Sequence, residues 1–462
     1  MFKKIFIYFL LNALLVIPLT QTQTFHSPAL AEEPEPQGWA AIIGVTEYQC
    51  PLCIFDQEWN IYPVGIKHPD DDARDLALQL SPIIGEDHIK LVLNSEATNS
   101  SIYYAIKWLV EKSDANDTVF LYFSGHSAPR NLGSYDYLVS DWQLAKWLDK
   151  INSQNVVVIL DTCYAGSFSK ELGQNGRVVL MSCQSYESSL EDRELEHGVF
   201  THYILQALTD FESADLDCNY ELSAKEIFDY ATPRTIEEIV APFDNLPAFS
   251  RGNIQHPTLY IPPHKYGEIN LFMRVVFLND VQSASNTTIL SVDGEPYSPK
   301  EIPASFTWLS GTTHSFDIPK QVNTTEGTRL VFTSWSDGNK SASRLITHGG
   351  EYTANYKTQY KLTIESPYGN PKGEGWYDSD SRAKISIDPT EGKIIKHIFT
   401  GWSEDFTGQE VTTLVTMNNA KTIRANWETD YMILYLVIFG LIALTGITAT
   451  VIIYINKKKK TI

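Results

Sequence analysis

Two stretches of this chain carry residue types able to do nucleophilic chemistry: TVFLYFSGHS at 118–127 and NVVVILDTCYAGS at 155–167. Each is a run of apolar and β-branched residues that stops at a reactive side chain with small residues beside it. In the first that side chain is His126, behind Gly125; in the second it is Cys163, ahead of Ala165 and Gly166. Such runs read as buried parallel strands, and open α/β sheets hold their ligands outside the carboxyl ends of the strands. Two neighbouring strands ending in Cys and His would put a thiol and an imidazole on one rim, an arrangement that can ionise the thiol and attack a carbonyl. Taken singly, a cysteine after a strand is a small buried hydrophobe and a histidine is a hydrogen-bonded structural residue. Their occurrence at two strand ends points to chemistry instead.

The strings FLYFSGHS and VVVILDTCYAGS resemble the His and Cys blocks of the caspase-like cysteine peptidases, in particular the metacaspases and their bacterial and archaeal relatives. The flanks agree: GWAAIIGVTEY resembles the family's first strand, HPDDDARDLALQL its first helix, and RVVLMSCQSYESSLE the strand after the nucleophile. EHGVFTHYILQAL resembles the helix that follows and QHPTLY the closing strand, so the resemblance runs from Trp39 to Ile261. It implies Cys163 as nucleophile, His126 as the group that handles the proton, and the backbone N–H groups of Ser127 and Cys163 as the oxyanion donors. The family usually has Gly after the histidine; this chain has Ser127, which keeps the N–H but adds a side chain.

The resemblance also implies that Asp161 and Ser124 line a primary specificity pocket receiving Arg or Lys. Asp161 lies two residues before Cys163 and Ser124 two before His126, and side chains alternate along a strand, so each points to the same side as its reactive partner. A carboxylate there would hold Arg through a charge-assisted, bidentate bond. The competing reading of Asp161 is a turn cap that accepts backbone N–H groups.

The elements that must position these residues alternate. Trp39–Val45 reads as a strand, Asp70–Leu80 as a helix with Ala73, Leu76, Ala77 and Leu80 at helical spacing, and His88–Leu93 as a strand. Ser101–Ser113 reads as a helix opening at Ser101. Ser140 with Gln143 forms a capping-box pattern ahead of Leu144, Trp147 and Leu148, which makes the segment between the two reactive strands a crossover helix. The expected fold class is α/β, a caspase-like, mostly parallel sheet with helices on both faces, over residues 32–264.

Beyond the helix at 198–208, Asp215, Asp217, Asn219, Ser223 and Glu226 stand at positions one, three, five, nine and twelve of an EF-hand-like loop, with Glu221 among them as a further candidate ligand. Tyr220 occupies the position where the sharp turn wants Gly. The other reading is an acidic turn with Ser223 capping the next helix. Thiol chemistry requires no cofactor, so calcium at this loop is the one ion to be considered.

After Pro262–Pro263 strand-forming residues alternate with Thr, Ser, Gly and Asn. Phe332-Thr-Ser-Trp335-Ser-Asp337-Gly, ending in EYTANYK, recurs as Phe399-Thr-Gly-Trp402-Ser-Glu404-Asp, ending in TIRANWE. The repeat predicts two small antiparallel β-modules, 265–357 and 358–428, each with its Trp in the core. They resemble β-repeats of microbial surface proteins, and a stalk or adhesive spacer is the expected role.

The two ends frame the rest. Lys3 and Lys4 precede an apolar run, and Ala29-Leu30-Ala31 supplies cleavage-site residues, so 1–31 reads as a secretory signal. Residues 431–455 carry no charge and are long enough to span a bilayer, with the basic tail 456–462 behind them. The positive-inside rule keeps that tail in the cytoplasm, which predicts a single-pass type I protein of the cell membrane with its catalytic domain outside.

A net charge of −20, from 36 basic and 56 acidic residues, argues against nucleic acid as a partner. The expected partners are protein or peptide substrates and, through the C-terminal helix, the membrane. Sequons at Asn99, Asn116, Asn286, Asn323 and Asn339 fit a secreted chain. Five cysteines are an odd number, so if Cys50 and Cys53 pair, at least one thiol among Cys163, Cys183 and Cys218 stays free or bonds another chain.

Together these features predict a membrane-anchored extracellular cysteine endopeptidase cleaving after Arg or Lys. Two alternatives stay open: a transamidase or transpeptidase of the GPI-transamidase or legumain type, and an inactive surface-binding protein.

Overall fold

The computed structural model describes residues 34–49, 66–240, 255–262, 269–279, 281 and 287–459. The stretch read as a signal sequence, Cys50 and Cys53, the sequon at Asn286 and the last three residues of the basic tail lie outside the described residues.

Apolar runs too long to be exposed build a six-stranded sheet from β1 (Gly38–Val45), β2 (Ile89–Leu93), β3 (Thr118–Gly125), β7 (Asn155–Asp161), β8 (Val178–Met181) and β12 (Thr258–Tyr260). The spatial order is β12-β8-β7-β3-β1-β2, with β12 antiparallel to β8 and every other pair parallel. Three short strands, β4 (Ser127–Ala128), β5 (Asn131–Gly133) and β6 (Leu138–Ser140), form a separate sheet just past the end of β3.

Alternation along β3 and β7 sends one row of side chains to each face. Phe120, Tyr122, Val157 and Ile159 pack under α1 (Pro69–Ile84), α4 (Val199–Thr209) and α5 (Ala224–Val240). Val119, Leu121, Phe123, Val156, Val158 and Leu160 pack under α2 (Asn99–Lys112) and α3 (Asp141–Leu148).

The helix boundaries follow local chemistry. α1 opens on a proline with Asp70, Asp71 and Asp72 in its first turn, where the helix dipole favours negative charge. α3 carries the full Ser140–Gln143 capping box. α2 starts earlier than its sequence suggested: Thr98 is in an extended conformation and its hydroxyl accepts the N–H of Ser101 at 3.1 Å, so Thr98 caps and Ser101 lies inside the first turn.

In the C-terminal part, Thr328–Trp335 pairs antiparallel with Gly350–Glu365, and Lys396–Glu404 pairs antiparallel with Lys421–Asp430. The repeated tryptophans are equivalent. Trp335 and Trp402 are both buried, and each indole N–H donates to a backbone carbonyl, Ser341 at 2.8 Å and Glu410 at 2.9 Å.

The arrangement is not purely antiparallel. Gly350–Glu365 runs parallel to β13 (Asn270–Asn279) at one end and to Lys421–Asp430 at the other. At 16 residues it is too long for one module, so it crosses position 357 and joins both repeats into one sheet. That sheet also takes in β11 (Glu221–Ser223), which pairs with β13. The chain then enters a helix of 28 residues, Met432–Lys459, long and apolar enough to cross a bilayer.

Candidate active site

The row Phe120-Tyr122 continues into Ser124, and the row Val157-Ile159 continues into Asp161; Ser124 and Asp161 are direct register partners. The apolar face of the sheet therefore turns polar at its carboxyl edge. Two residues further on, each strand delivers its reactive side chain. A cavity of about 430 Å³ opens there, lined by Ser124, His126, Ser127, Asp161, Cys163 and Asp72 among others. All the residues read from the sequence as dyad, oxyanion donors and pocket border this one cavity.

Several bonds hold the two strand ends together. The Thr162 hydroxyl donates to the carbonyl of Gly125 at 2.6 Å, and the Ser127 hydroxyl donates to the carbonyl of Cys163. Gly125 has φ +156°, and a Cβ there would lie 2.9 Å from the hydroxyl of Tyr48, so only glycine fits. That hydroxyl accepts the backbone N–H of His126 at 2.6 Å and donates to Val45 at 2.9 Å, with the tyrosine and imidazole rings 5.3 Å apart.

After Cys163, Tyr164 takes a left-handed conformation, φ 56°, which turns the chain sharply away from β7. Gly166 then passes so close to the next loop that a Cβ would meet the N of Ser185 at 2.7 Å. The Cys163 thiol is partly exposed and directed at the carbonyl of Ser189, 3.8 Å away. Burial pushes this thiol up from its ordinary value, against the hydrogen bond from Ser189 that lowers it. Cys183 is fully buried and pushed up to about 12 by the same cause, which leaves it unreactive.

Asp161 is not a local turn cap. One carboxylate oxygen accepts the Ser189 hydroxyl at 2.5 Å; the other accepts both the N–H (3.0 Å) and the hydroxyl (2.7 Å) of Thr201, at the start of α4. Thr201 in turn shares a hydrogen with Tyr122 at 2.7 Å. Burial raises the pKa of Asp161, with these donors opposing the shift.

A second carboxylate, unrecognised from the sequence, faces the same space. Asp72 is 1% exposed, accepts the Ser124 hydroxyl at 2.8 Å, and binds Nδ1 of His197 at 2.9 Å and the N–H of Gly198 at 3.1 Å. Burial pushes it up to about 7. A Cβ on Gly198 would sit 2.5 Å from Oδ2 of Asp161 and 3.2 Å from Oδ2 of Asp72, so the missing side chain keeps the space between the two acids open. A signal for Asp72 was present: it stands on the apolar stripe of α1 with Ala73, Leu76 and Leu80, where an acid is out of place. Tyr48, Thr201 and Ser189 gave no comparable signal, because their contacts depend on loops meeting across the sheet edge.

The acidic loop lies elsewhere. Carboxylate oxygens of Asp215, Asp217 and Glu226 lie within 4.8 Å of one another, but each of the buried pair is engaged by backbone donors. Asp215 accepts the N–H of Asn219 and Tyr220, and Glu226 accepts those of Leu216 and Ser223. Ser223 and Glu226 thus form a reciprocal cap on α5. Asn219 accepts the N–H of Glu221, and the Glu221 carboxylate turns to Asn270 and Ser310 instead of the cluster. Tyr220, where glycine was wanted, takes the left-handed conformation a glycine would have taken, φ 64°.

No curated protein matches the chain. A crystal structure of a Geobacter sulfurreducens structural-genomics target aligns with 49% of this chain and 94% of its own at 14% identity and a TM-score of 0.35, too low to bear on function. The family comparison is more informative. Where the sequence blocks leaned toward metacaspases, residues 91–245 match the model of the Peptidase C13 family. Over that stretch, which contains both strands that end at His126 and Cys163, the chain is similar to the Peptidase C13 family.

Proposed function

We propose that the chain is a membrane-anchored cysteine endopeptidase, its catalytic region outside the cell, that cleaves peptide bonds after Arg or Lys. The observation that carries the specificity is the pair of buried carboxylates, Asp72 and Asp161, bordering the cavity that also holds Cys163 and His126.

In this reading the substrate carbonyl lies against Cys163. His126 takes the thiol proton as sulfur attacks, then passes it to the leaving amine as the C–N bond breaks, and water hydrolyses the thioester. The N–H groups of Ser127 and Cys163 hold the oxyanion, and losing one such donor costs on the order of a hundredfold in rate. An Arg or Lys side chain enters between the two acids, over Gly198. There an acidic side chain would meet like charge with little water to screen it. The anchor supports an outward-facing placement through its lysine-rich end.

A fluorogenic panel differing only at the residue before the scissile bond tests this. Cleavage after Arg and Lys is expected, with Asp161→Ala losing Arg selectivity while some activity persists. Preferential cleavage after Asn or Asp would overturn the basic pocket.

A second reading, amide exchange, has one specific support: the family matched contains transamidases as well as peptidases. Mass spectrometry of products formed with and without an added amine separates the two, since a transamidase caps the acyl fragment with the amine.

A further inference from the structure

We propose that His197 is a specificity-determining residue: it governs the charge of the pocket floor through Asp72, so that selectivity for a cationic side chain over a neutral one rises with pH. This rests on the basic-pocket reading above and goes beyond it by naming a residue that never touches substrate.

His197 lies in β10 (His197–Gly198), paired with β9 (Glu191–Asp192), and its ring bridges two acids. Nδ1 is 2.9 Å from Oδ1 of buried Asp72; Nε2 is 3.4 Å from Oδ2 of Asp75, whose side chain is 51% exposed. A neutral imidazole has one N–H and cannot donate at both ends; the imidazolium can. The Asp72–His197 pair therefore retains one shared proton. Wherever that proton resides, the pair is neutral while it stays and carries one negative charge once it leaves. Oδ1 of Asp72 takes the ring and the Gly198 N–H, while Oδ2 takes the Ser124 hydroxyl and lies nearest the space a Gly198 side chain would fill, so the ring works from behind the carboxylate.

The other groups facing this pair are known. α1 presents Asp71 and Asp75 to the ring, and α4 presents His202, with ring centroids 6.0 Å apart. β9 brings Asp192, the register partner of His197, and Glu191, which lines the cavity. Asp161 faces Asp72 from β7; Ser124 and Tyr122 face it from β3. Acids outnumber cations here, and the hydrogen bond to Asp72 raises the His197 pKa above its ordinary 6.5. The shared proton consequently leaves above the pH at which an unpaired histidine titrates.

The test compares Arg with citrulline, its uncharged isostere, before the scissile bond, in otherwise identical peptides. The ratio of kcat/KM values cancels every group that acts on both substrates, including His126 and Cys163. For the full chain the Arg/citrulline ratio should rise by about fivefold or more between about pH 6 and about pH 8.5, where an unpaired histidine would have finished titrating. In His197→Gln, which keeps a hydrogen-bonding amide but removes the cation that favours the Asp72 carboxylate, buried Asp72 holds its proton to higher pH and the rise should move up out of the wild-type window. Because the wild-type profile alone can refute the proposal, a variant that fails to fold does not shield it. A flat wild-type ratio with Arg preferred throughout overturns the role of His197 and leaves the basic pocket standing. A ratio near unity at every pH overturns both. A slope unchanged in His197→Gln assigns the titration to another group and also overturns it.

Discussion

The hydroxyl of Ser127 donates to the backbone carbonyl of Cys163, so the residue after the histidine is tied to the residue that bears the thiol. The departure from the glycine usual in the resembling families is thus a bond between the two strand ends that carry His126 and Cys163. Ser127→Gly restores the usual residue and keeps the N–H, yet removes a buried hydrogen bond worth about 1 kcal/mol. Activity should fall by about three- to tenfold with KM little changed, as expected when the thiol is less firmly placed. Steady-state kinetics check it, and an unchanged kcat would deny the bond a positioning role.

Cys163→Ala and His126→Ala should each reduce hydrolysis by at least about a thousandfold, since residues that act as one unit fail together. Both side chains border the cavity and neither belongs to the buried clusters that hold the sheet, so melting temperatures should stay within a few degrees. Wild-type turnover by Cys163→Ala would remove it as nucleophile.

Asp72 makes stability depend on pH in a direction that can be worked out. Its carboxyl is raised from 3.8 to about 7 in the fold, so the folded chain keeps a proton that the unfolded chain has released. The stability it contributes is complete below about pH 4 and is lost as pH rises toward about 7. Asp72→Asn removes the buried charge, so its melting temperature should exceed that of the wild type by about 2–5 °C at pH 8 and lose that advantage at pH 5. Its cleavage after Arg should fall throughout. Thermal melts at the two pH values decide; a constant offset between the proteins would contradict a raised Asp72.

If the acidic loop takes calcium, millimolar calcium should raise the melting temperature of the full chain, because a ligand bound only by the folded state stabilises it by mass action. The rise should vanish in Asp215→Ala/Asp217→Ala. An unchanged melting temperature, or the same rise in the double variant, would identify the loop as the self-capped turn that its backbone bonds describe.

Much of this protein was legible in the chain itself. The apolar runs ending at His126 and Cys163, the capping box at Ser140, the recurring Trp335 and Trp402, and the C-terminal apolar stretch are local patterns, and local patterns follow from periodicity and burial alone. The adjacency of β3 and β7 followed from the short crossover between them, and with it the convergence of Ser124, His126, Asp161 and Cys163. Contacts between segments far apart in sequence were beyond reach. Asp72 meets His197 across 125 residues, Asp161 meets Thr201 across 40, and Tyr48 meets His126 across 78. The same holds for the strand 350–365, which looked like parts of two modules until its partners on both sides were in place. Pattern decides which face of an element is buried, whereas the partner of a buried polar group depends on where the whole chain brings another donor or acceptor within about 3 Å. The meeting of His126 and Cys163 at one cavity could therefore be read from the sequence, while the second buried acid beside it and the histidine behind that acid were decided only by the tertiary structure.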